Sequence, residues 1–443
     1  MKWLKRIGII LSGVVALLAI VPFFISLNDY IPALEKEAAK VLGQRVAIDS
    51  LHASAFPVPH ARIDGIVIGA SEDIRIGKVT LTPDFWSLFR AAKVIRNVEV
   101  ENVALSHKAI SILTALTQQK PSSTNIRVEK IHIRATTVKL EQSSFGPFDV
   151  RVQVSSPQRP GELVLTTRDG ALKVRAVPEG ARYALEVTAR RWTPPMGPAI
   201  RFDTLDIKGI AHSKGADLNQ ISGKLYGGTV AGNVNIGAAK ELTLRGNLEL
   251  KNIELEHAVA LVSPKTRVSG RLDAKPVFSS NARTAAQLGE SLRLESPFTV
   301  HDGVLHGVDL MKAATSFGRQ ASAGGETRFD QLEGRLVVER RSYEFSELSI
   351  ASSGIAARGN VTIAASKALS GQLSTNVKAL GKAAGIPLII AGTLDSPMLY
   401  PHPTALAGAA AGTIIMPGLG TAAGAKLGEF VGDLFGKIRK PNP

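Results

Sequence analysis

The chain contains 443 residues, of which 44% are apolar and 5% aromatic, with no cysteine and a formal net charge of +15. This apolar content indicates a folded chain with a sizeable core, whereas the scarcity of aromatic residues argues against a surface that stacks nucleic-acid bases. The absence of cysteine excludes disulfide bonds and cysteine-ligated metal sites, and the positive charge suits an anionic lipid surface or a nucleic acid.

Residues 1–29 predict a cytoplasmic basic start followed by a transmembrane anchor. An uncharged run over 7–28 follows the basic residues, and it is long enough to cross a hydrocarbon core of about 30 Å as a helix. The positive-inside rule then exports the rest of the chain. The predicted anchor includes Trp3, Lys5, Arg6, Leu11, Leu17 and Phe23.

A cleaved signal peptide is the alternative interpretation of this N-terminal segment. The uncharged run exceeds the usual apolar length of about 7–15 residues in a signal peptide, and its end, 22–27, contains no small-x-small cleavage site. Both interpretations export the chain.

Alternating apolar and polar residues predict β-strands through most of the chain. The clearest segments are 241–251 and 331–339, in which the polar residues fall on one face and the apolar residues on the other. The apolar residues of these two segments are Leu242, Leu244, Leu248, Leu250, Leu332, Leu336 and Val338. Further strands are predicted at 126–140, 163–167, 172–177, 183–189, 205–207, 229–236, 267–274, 345–351, 361–364 and 388–394. One wet face and one buried face are typical of a mostly antiparallel sheet.

Few helices are expected between these strands. Helices are predicted at 31–42, 83–92, 109–119, 284–292 and 309–317, and turns at 168–170, 178–180, 213–215 and 301–303. A proline-rich corner at 190–199 favours a domain boundary. The resulting division is an anchor at 1–29, two β-rich regions at 30–190 and 191–400, and a tail at 401–443.

An internal repeat supports a repetitive architecture. Residues 232–242 (GNVNIGAAKEL) and 359–369 (GNVTIAASKAL) are identical at seven of eleven positions. Each copy follows a glycine-containing strand and precedes another strand. We therefore expect a repeated strand–turn–strand unit that extends the sheet along one axis.

The tail is rich in alanine and glycine. Its glycines recur every four residues at Gly420, Gly424, Gly428, Gly432 and Gly436. On a helix, this spacing forms a face of small residues that allows a second helix to approach closely. Two interpretations stay open: a helical hairpin that inserts into or lies on a membrane, and a helix that packs against the end of the core.

No catalytic chemistry is evident in the sequence. The nine histidines form no HExxH spacing, and neither a nucleophile elbow nor a Walker loop occurs. The basic residues are scattered along the polar faces of strands, which argues against nucleic-acid binding. We predict no catalytic, metal or cofactor residues and no enzymatic activity.

Several segments, taken in their order along the chain, resemble the AsmA family of bacterial envelope proteins. They are IPALE at 31–35, LGQRV at 42–46, FPVP at 56–59, IVIG at 66–69, LYGGTVAG at 225–232, PFTVHDGVLHGVDL at 297–310, TRFDQLEG at 327–334, and IP at 386–387 with GTLDSP at 392–397. This resemblance implies an inner-membrane anchor, a β-rich body in the periplasm, and a role in outer-membrane biogenesis. Long members of the family are regarded as grooves that carry phospholipid.

The fold class expected from both lines of reasoning is mainly β, with an elongated, repetitive antiparallel sheet that forms a groove. The seven apolar residues of 241–251 and 331–339 would line it, and acyl chains would gain about 0.8 kcal/mol per buried CH₂. The expected partners are membrane phospholipid, the inner membrane and outer-membrane or envelope proteins, without nucleic acid. The alternative is a non-enzymatic assembly factor with a closed β-sandwich body that influences outer-membrane protein insertion, because the interior of a sandwich alternates in the same way.

Overall fold

The computed structural model describes residues 27–54, 58–106, 109, 126–139, 144–156, 159–195, 197–261, 263, 265–315, 324–377 and 385–402. The predicted anchor residues from Trp3 to Phe23 and the predicted glycine face from Gly420 to Gly436 lie outside these residues, as does nearly all of the predicted helix at 109–119. Within the described ranges, no helix has the length and apolar character needed to cross a membrane.

The chain divides into two compact units, one comprising Met1–Met196 with Ile210–His212 and the other Gly197–Gly209 with Ser213–Pro443. The first unit contains β1 (Val46–Ser54), β2 (His60–Ile68), β3 (Ile74–Pro83), β4 (Lys93–Leu105), β5 (Ile126–Lys139), β6 (Ser144–Ser156), β7 (Arg159–Thr167), β8 (Leu172–Glu179) and β9 (Arg182–Trp192). β10 (Phe202–His212), which lies mostly in the second unit, is followed there by β11 (Gly215–Leu225), β12 (Gly228–Ala238), β13 (Leu242–Glu254), β14 (Val268–Ala274), β15 (Val277–Ala282), β16 (Arg293–His306), β17 (Glu326–Glu339), β18 (Ser342–Ala351), β19 (Ile355–Ile363), β20 (Leu369–Val377), β21 (Gly385–Thr393) and β22 (Ser396–Pro401). The described α-helices are α1 (Ile31–Leu42), α2 (Leu255–Ala260) and α3 (Leu310–Thr315).

Strands pair in chain order within each unit. β1 to β9 form successive ladders in the first unit. In the second unit, β14 and β15 share one strand position between β13 and β16, and β16 to β22 again pair in order. Only β4–β5 is parallel among these ladders. The predicted mainly β, mostly antiparallel class with few helices is therefore confirmed.

Helix α1 lies against the beginning of the first unit's sheet. It has proline in its first turn and ends at Gly43, which adopts a left-handed conformation with φ of 63°, as is common at a helix C-terminus. Its residues Ala38, Ala39 and Leu42 pack on a buried cluster that includes Val46. The Glu35 carboxylate accepts a hydrogen bond from the Ile48 amide at 2.8 Å, so that the helix is fixed alongside β1.

Helix α3 is the centre of the second unit's buried core. Its residues Leu310, Ala313 and Ala314 are almost completely buried, and the helix packs against β17, β20, β21 and β22. The Thr327 hydroxyl accepts a hydrogen bond from the Leu310 amide at 3.0 Å and donates one to the Val308 carbonyl at 2.8 Å. These bonds position the helix against β17 and satisfy the buried hydroxyl.

The strands of the second unit curve back around α3. The turn between β21 and β22 meets the loop that precedes β14, although several strands separate them in the sheet. The buried Ser263 hydroxyl donates to the Asp395 carboxylate at 2.7 Å, and the Thr266 hydroxyl donates to the Leu394 carbonyl at 3.1 Å. The sheet therefore encloses α3 at this end.

Two of the predicted helices are wrong in extent and type. The predicted helix at 83–92 is a 3₁₀ turn at Phe85–Phe89, because Pro83 still belongs to β3. The Ser87 amide donates to the Asp84 carboxylate at 2.9 Å and the Val94 amide donates to the Ser87 hydroxyl at 2.9 Å, so the turn is tied at both ends to the adjoining strands.

The predicted helix at 31–42 is confirmed as α1, whereas those at 284–292 and 309–317 differ from the structure. The predicted helix at 284–292 is a 3₁₀ turn at Ala285–Gly289, where the Ser280 hydroxyl donates to the Leu288 carbonyl at 2.7 Å. Helix α3 covers the middle of the predicted 309–317 segment, and α2 was not predicted.

The predicted turn at 301–303 is wrong, whereas the other three predicted turns are confirmed. These residues lie inside β16, where Asp302 has φ of 50° and the pairing with β14 shifts register between Ser269 and Arg271. Asp-Gly is a turn signal because both residues tolerate left-handed backbone conformations. Here a β-bulge uses that tolerance without ending the strand.

The internal repeat corresponds to two hairpins of the same kind. Residues 232–242 cover the end of β12, a turn and the start of β13, and residues 359–369 cover the same parts of β19 and β20. Gly232 pairs with Leu248 in one hairpin, and Gly359 pairs with Leu373 in the other. The predicted strand–turn–strand unit is confirmed for both copies.

We predict that Leu310→Ala destabilises the second unit by about 2–5 kcal/mol, because it leaves a cavity in the core around α3. The matched control is Met311→Ala on the same helix, since Met311 is 37% exposed, and we expect it to change stability by no more than about 0.5 kcal/mol. Amide hydrogen exchange in β17 and β20 measures both effects. Equal loss of protection in the two variants would show that α3 does not organise this core.

Candidate functional site

The predicted groove residues of β13 and β17 lie on one face of the second unit's sheet. Cross-strand pairing carries that face from one strand to the other: Gly246 of β13 pairs with Phe278, Phe278 with Leu294, and Leu294 with Val338 of β17. Residues directly opposite each other in a ladder point to the same side. The half-buried residues of this predicted set are Leu242, Leu244, Leu248, Leu250, Leu332, Leu336 and Val338.

This face continues through the later strands. Two adjacent rows of half-buried residues lie on it, and we call them the open rows. One open row contains Leu294, Val338, Tyr343, Ile363 and Leu369, which pair successively from β16 to β20. The other contains Leu336, Phe345, Val361 and Gly371, which pair successively from β17 to β20. The next partner, Ile390 of β21, packs against the core around α3. Every residue of both rows is half-buried, so solvent still reaches their side chains.

Another row on the same face lies in the core around α3, and we call it the covered row. It contains Val300, Leu332, Ile350, Ala357, Thr375 and Ile386, which pair successively from β16 to β21. The buried residues Leu348, Leu373 and Leu388 lie between this row and the open rows. Val300 and Ala357 are each 1% exposed and Ile350 is 5% exposed. The predicted residue Leu332 is half-buried and packs against this core. The face is therefore closed beside α3 and open farther along the strands.

Phenylalanine rings cover glycines on this face. The cross-strand pairs are Gly246 with Phe278, Gly303 with Phe329, and Gly334 with Phe298. A Cβ added to Gly246 would lie 2.7 Å from the Phe278 ring. Glycine in a strand permits the strong coiling that a curved sheet needs, and the aromatic ring restores apolar contact over the gap.

The first unit has an apolar row of its own. Its members pair in register from β1 to β9: Leu51, Ile63, Val79, Val100, Ile133, Val150, Leu165, Val174 and Val187. Leu51 is buried, and the remaining eight are half-buried. Like the open rows, these side chains are aliphatic and retain access to solvent.

The opposite faces of the strands carry charged pairs. Lys78 contacts Glu101 at 2.7 Å. Arg175 bridges Glu162 at 2.6 Å and Glu186 at 3.4 Å, and these carboxylates, above all Glu162, raise the pKa of the Arg175 guanidinium. Exposed pairs of this kind contribute little to stability. They keep this surface hydrated, so an apolar ligand would bind the other face.

The chemistry of the open rows is that of a hydrocarbon surface. Their side chains are aliphatic or aromatic, with the Tyr343 hydroxyl as the one polar group. Among the described residues, no group of three or more histidine, aspartate or glutamate side chains could hold a metal ion. The arrangement can adsorb apolar chains, which gain about 0.8 kcal/mol per CH₂ removed from water.

Sequence reasoning missed two parts of this face: Phe278, which joins β13 to β16, and the apolar residues of β18. Phe278 lies in a strand of six residues, too short for alternation to be evident. Phe345, Leu348 and Ile350 do not alternate in sequence, yet the register shift between Phe345 and Leu348 places them on one face. Pairs of phenylalanine and glycine at opposing positions are the signal that could have indicated this face.

Comparisons with protein-family models, with curated proteins and with solved structures give no match to this chain.

We predict that the covered and open rows respond differently to a polar side chain. Ile350→Asn places an amide in the core beside α3 and should cost about 3–5 kcal/mol of unfolding free energy. Leu336→Asn, in the open row nearer to α3, should cost about 1 kcal/mol, because water still reaches that position. Amide hydrogen exchange in β18 measures both, with Glu344→Asn on the hydrated face as control. Equal losses of unfolding free energy in the position 336 and position 350 variants would show that Leu336 is as buried as Ile350.

Proposed function

We propose that this protein is an AsmA-like, inner-membrane-anchored periplasmic protein that holds or moves phospholipid along apolar grooves during outer-membrane biogenesis. The observation that supports this function most directly is the half-buried state of the open rows. An apolar surface that folding leaves accessible marks an interaction site in a soluble body.

The dimensions of the surface fit a lipid acyl chain. Neighbouring strands lie about 4.8 Å apart, so the open row from Leu294 to Leu369, which crosses five strands, extends over roughly 20 Å. An extended acyl chain laid across the strands would contact one such side chain after another. Its headgroup would stay at the edge of the face, in water.

Exposure of the rows favours a groove over a closed sandwich. A second sheet packed on this face would bury its side chains as fully as α3 buries Val300 and Ile350. The open rows are less buried than that. Burial of the covered row also explains how the unit folds stably while part of its apolar face remains available.

The proposal predicts that charges in the open rows reduce bound phospholipid. Full-length protein carrying Val338→Asp and Leu369→Asp should retain several-fold less co-extracted phospholipid than the wild type, because a carboxylate beside an acyl chain is costly to desolvate. The measurement is lipid extraction followed by mass spectrometry after purification in mild detergent.

The matched control carries Ser370→Asp and Gln372→Asp, which add the same charge at exposed positions of β20. It should keep wild-type lipid, including any lipid bound around a membrane anchor. Circular dichroism establishes that both variants are folded. Equal phospholipid in the two variants would refute a lipid-binding groove.

A further inference from the structure

Among the described residues, a cluster of exposed apolar side chains lies at one end of the first unit. Phe85, Trp86 and Phe89 of the 3₁₀ turn between β3 and β4 are 48%, 68% and 76% exposed. Their rings contact one another edge to face, with centroids 5.4 Å apart for Phe85 and Trp86 and 5.6 Å apart for Phe85 and Phe89. A cluster of exposed aromatic rings on a folded body is unusual and indicates a binding surface.

Register places two more exposed apolar residues at this end. Val58 lies in the turn between β1 and β2, beyond the Ser54–His60 pair, and Ile126 begins β5 opposite Lys93. Both are about half exposed, at 51% and 48%. This end of the unit therefore exposes apolar side chains at the β1–β2 turn, at the β3–β4 turn and at the start of β5.

The turn that presents the aromatic rings is held in place. The Asp84 carboxylate accepts a hydrogen bond from the Ser87 amide and pairs with Arg96. These contacts, the Ser87 bond first, lower the pKa of Asp84, so the carboxylate is charged at neutral pH. The rings are thus presented on a fixed turn, which reduces the entropy lost when they bind.

The charged side chains at this end are mostly basic. Arg90 and Lys93 flank the aromatic turn, and Arg127 and Lys130 follow Ile126; all four are exposed, and Glu129 is the exposed acidic residue among them. Aromatic rings beside basic side chains match the interface of an anionic bilayer, where indole and phenyl rings lie at headgroup depth and lysine and arginine meet lipid phosphates.

The start of the described chain lies near the same end. The Asn28 side chain accepts a hydrogen bond from the Leu51 amide at 3.1 Å, which places it about 10 Å, or three strand residues, from the Ser54 end of β1. Asn28, at the end of the uncharged run over 7–28, therefore lies against the half of β1 that points toward this end of the unit. Tyr30, which is 63% exposed, adds another aromatic ring close to Asn28.

We propose that this end of the first unit is a membrane-docking surface that inserts Phe85, Trp86 and Phe89 into the headgroup region of an anionic phospholipid bilayer. The bilayer is the one that the anchor of the proposed function would enter, and the docking proposal rests on that anchor. Docking would fix the orientation of the first unit on the membrane. It does not depend on whether phospholipid occupies the open rows, so the two proposals fail separately.

Trp86 is a native reporter for this surface. The chain has three tryptophans, so Trp3→Phe with Trp192→Phe leaves Trp86 alone. The full-length protein is reconstituted into vesicles of equal parts phosphatidylcholine and phosphatidylglycerol, and quenching of tryptophan fluorescence by acrylamide, an uncharged water-soluble quencher, and by bilayer-borne nitroxide lipids is measured. Docking predicts several-fold weaker acrylamide quenching than in detergent and strong quenching by nitroxide near the headgroups.

The matched control moves the reporter to the other end of the same unit. Arg168→Trp, in the turn between β7 and β8, is introduced together with Trp86→Phe, and this tryptophan should stay accessible to acrylamide. Similar quenching of the two reporters would overturn the proposal. In the Trp86 chain, Arg90→Glu with Lys93→Glu should restore acrylamide quenching, and an unchanged response would overturn the role of charge in docking.

Discussion

The architecture depends on registration of apolar side chains between neighbouring strands. Side chains alternate along a strand, so a shift of one residue would move an apolar set to the hydrated face. In the second unit, each pairing from Gly246 through Phe278 and Leu294 to Val338 keeps the apolar residues on the same face. Phe345 and Leu348 are three residues apart and would point to opposite faces of a regular strand. The bulge between them adds one residue, so both side chains lie on the same face. A continuous apolar face follows from these local matches.

One short helix then determines which part of that face is core. Helix α3 covers the row that contains Val300 and Ile350, and the Ser263–Asp395 hydrogen bond closes the curved strands around it. The row that contains Val338 and Leu369 lies beyond this cover. Folding and ligand binding would thus use the same face at different distances from α3: burial of the rows near α3 stabilises the unit, and the rows farther along the strands remain accessible.

The sequence was most informative where structure is local. Alternation in 241–251 and 331–339 identified two strands and the face they share, and the repeated GNV segments identified two equivalent hairpins. Prediction failed where contacts between strands distant in sequence determine the local backbone conformation. Asp302 and Gly303 have the composition of a turn, but pairing on both sides of β16 retains them in a strand as a bulge.

Other features depend on partners that are distant in sequence. The segment at 83–92 has helical composition, yet the bonds of Ser87 to Asp84 and Val94 restrict it to one 3₁₀ turn. Covering of Ile350 by α3 and exposure of Trp86 likewise follow from the three-dimensional arrangement. Periodicity could therefore indicate which residues share a face, but not which of them another element covers.

Among the described residues, no layer packs over the open rows, and the absence of cysteine allows their accessibility to be measured directly. Single-cysteine chains Val338→Cys in an open row and Leu388→Cys in the core beside α3 are exposed to a small apolar thiol reagent under native conditions. We expect Val338→Cys to react at least about a hundredfold faster, since core positions open only through rare unfolding. Similar slow rates at both positions would show that the face is covered and that it offers no open groove.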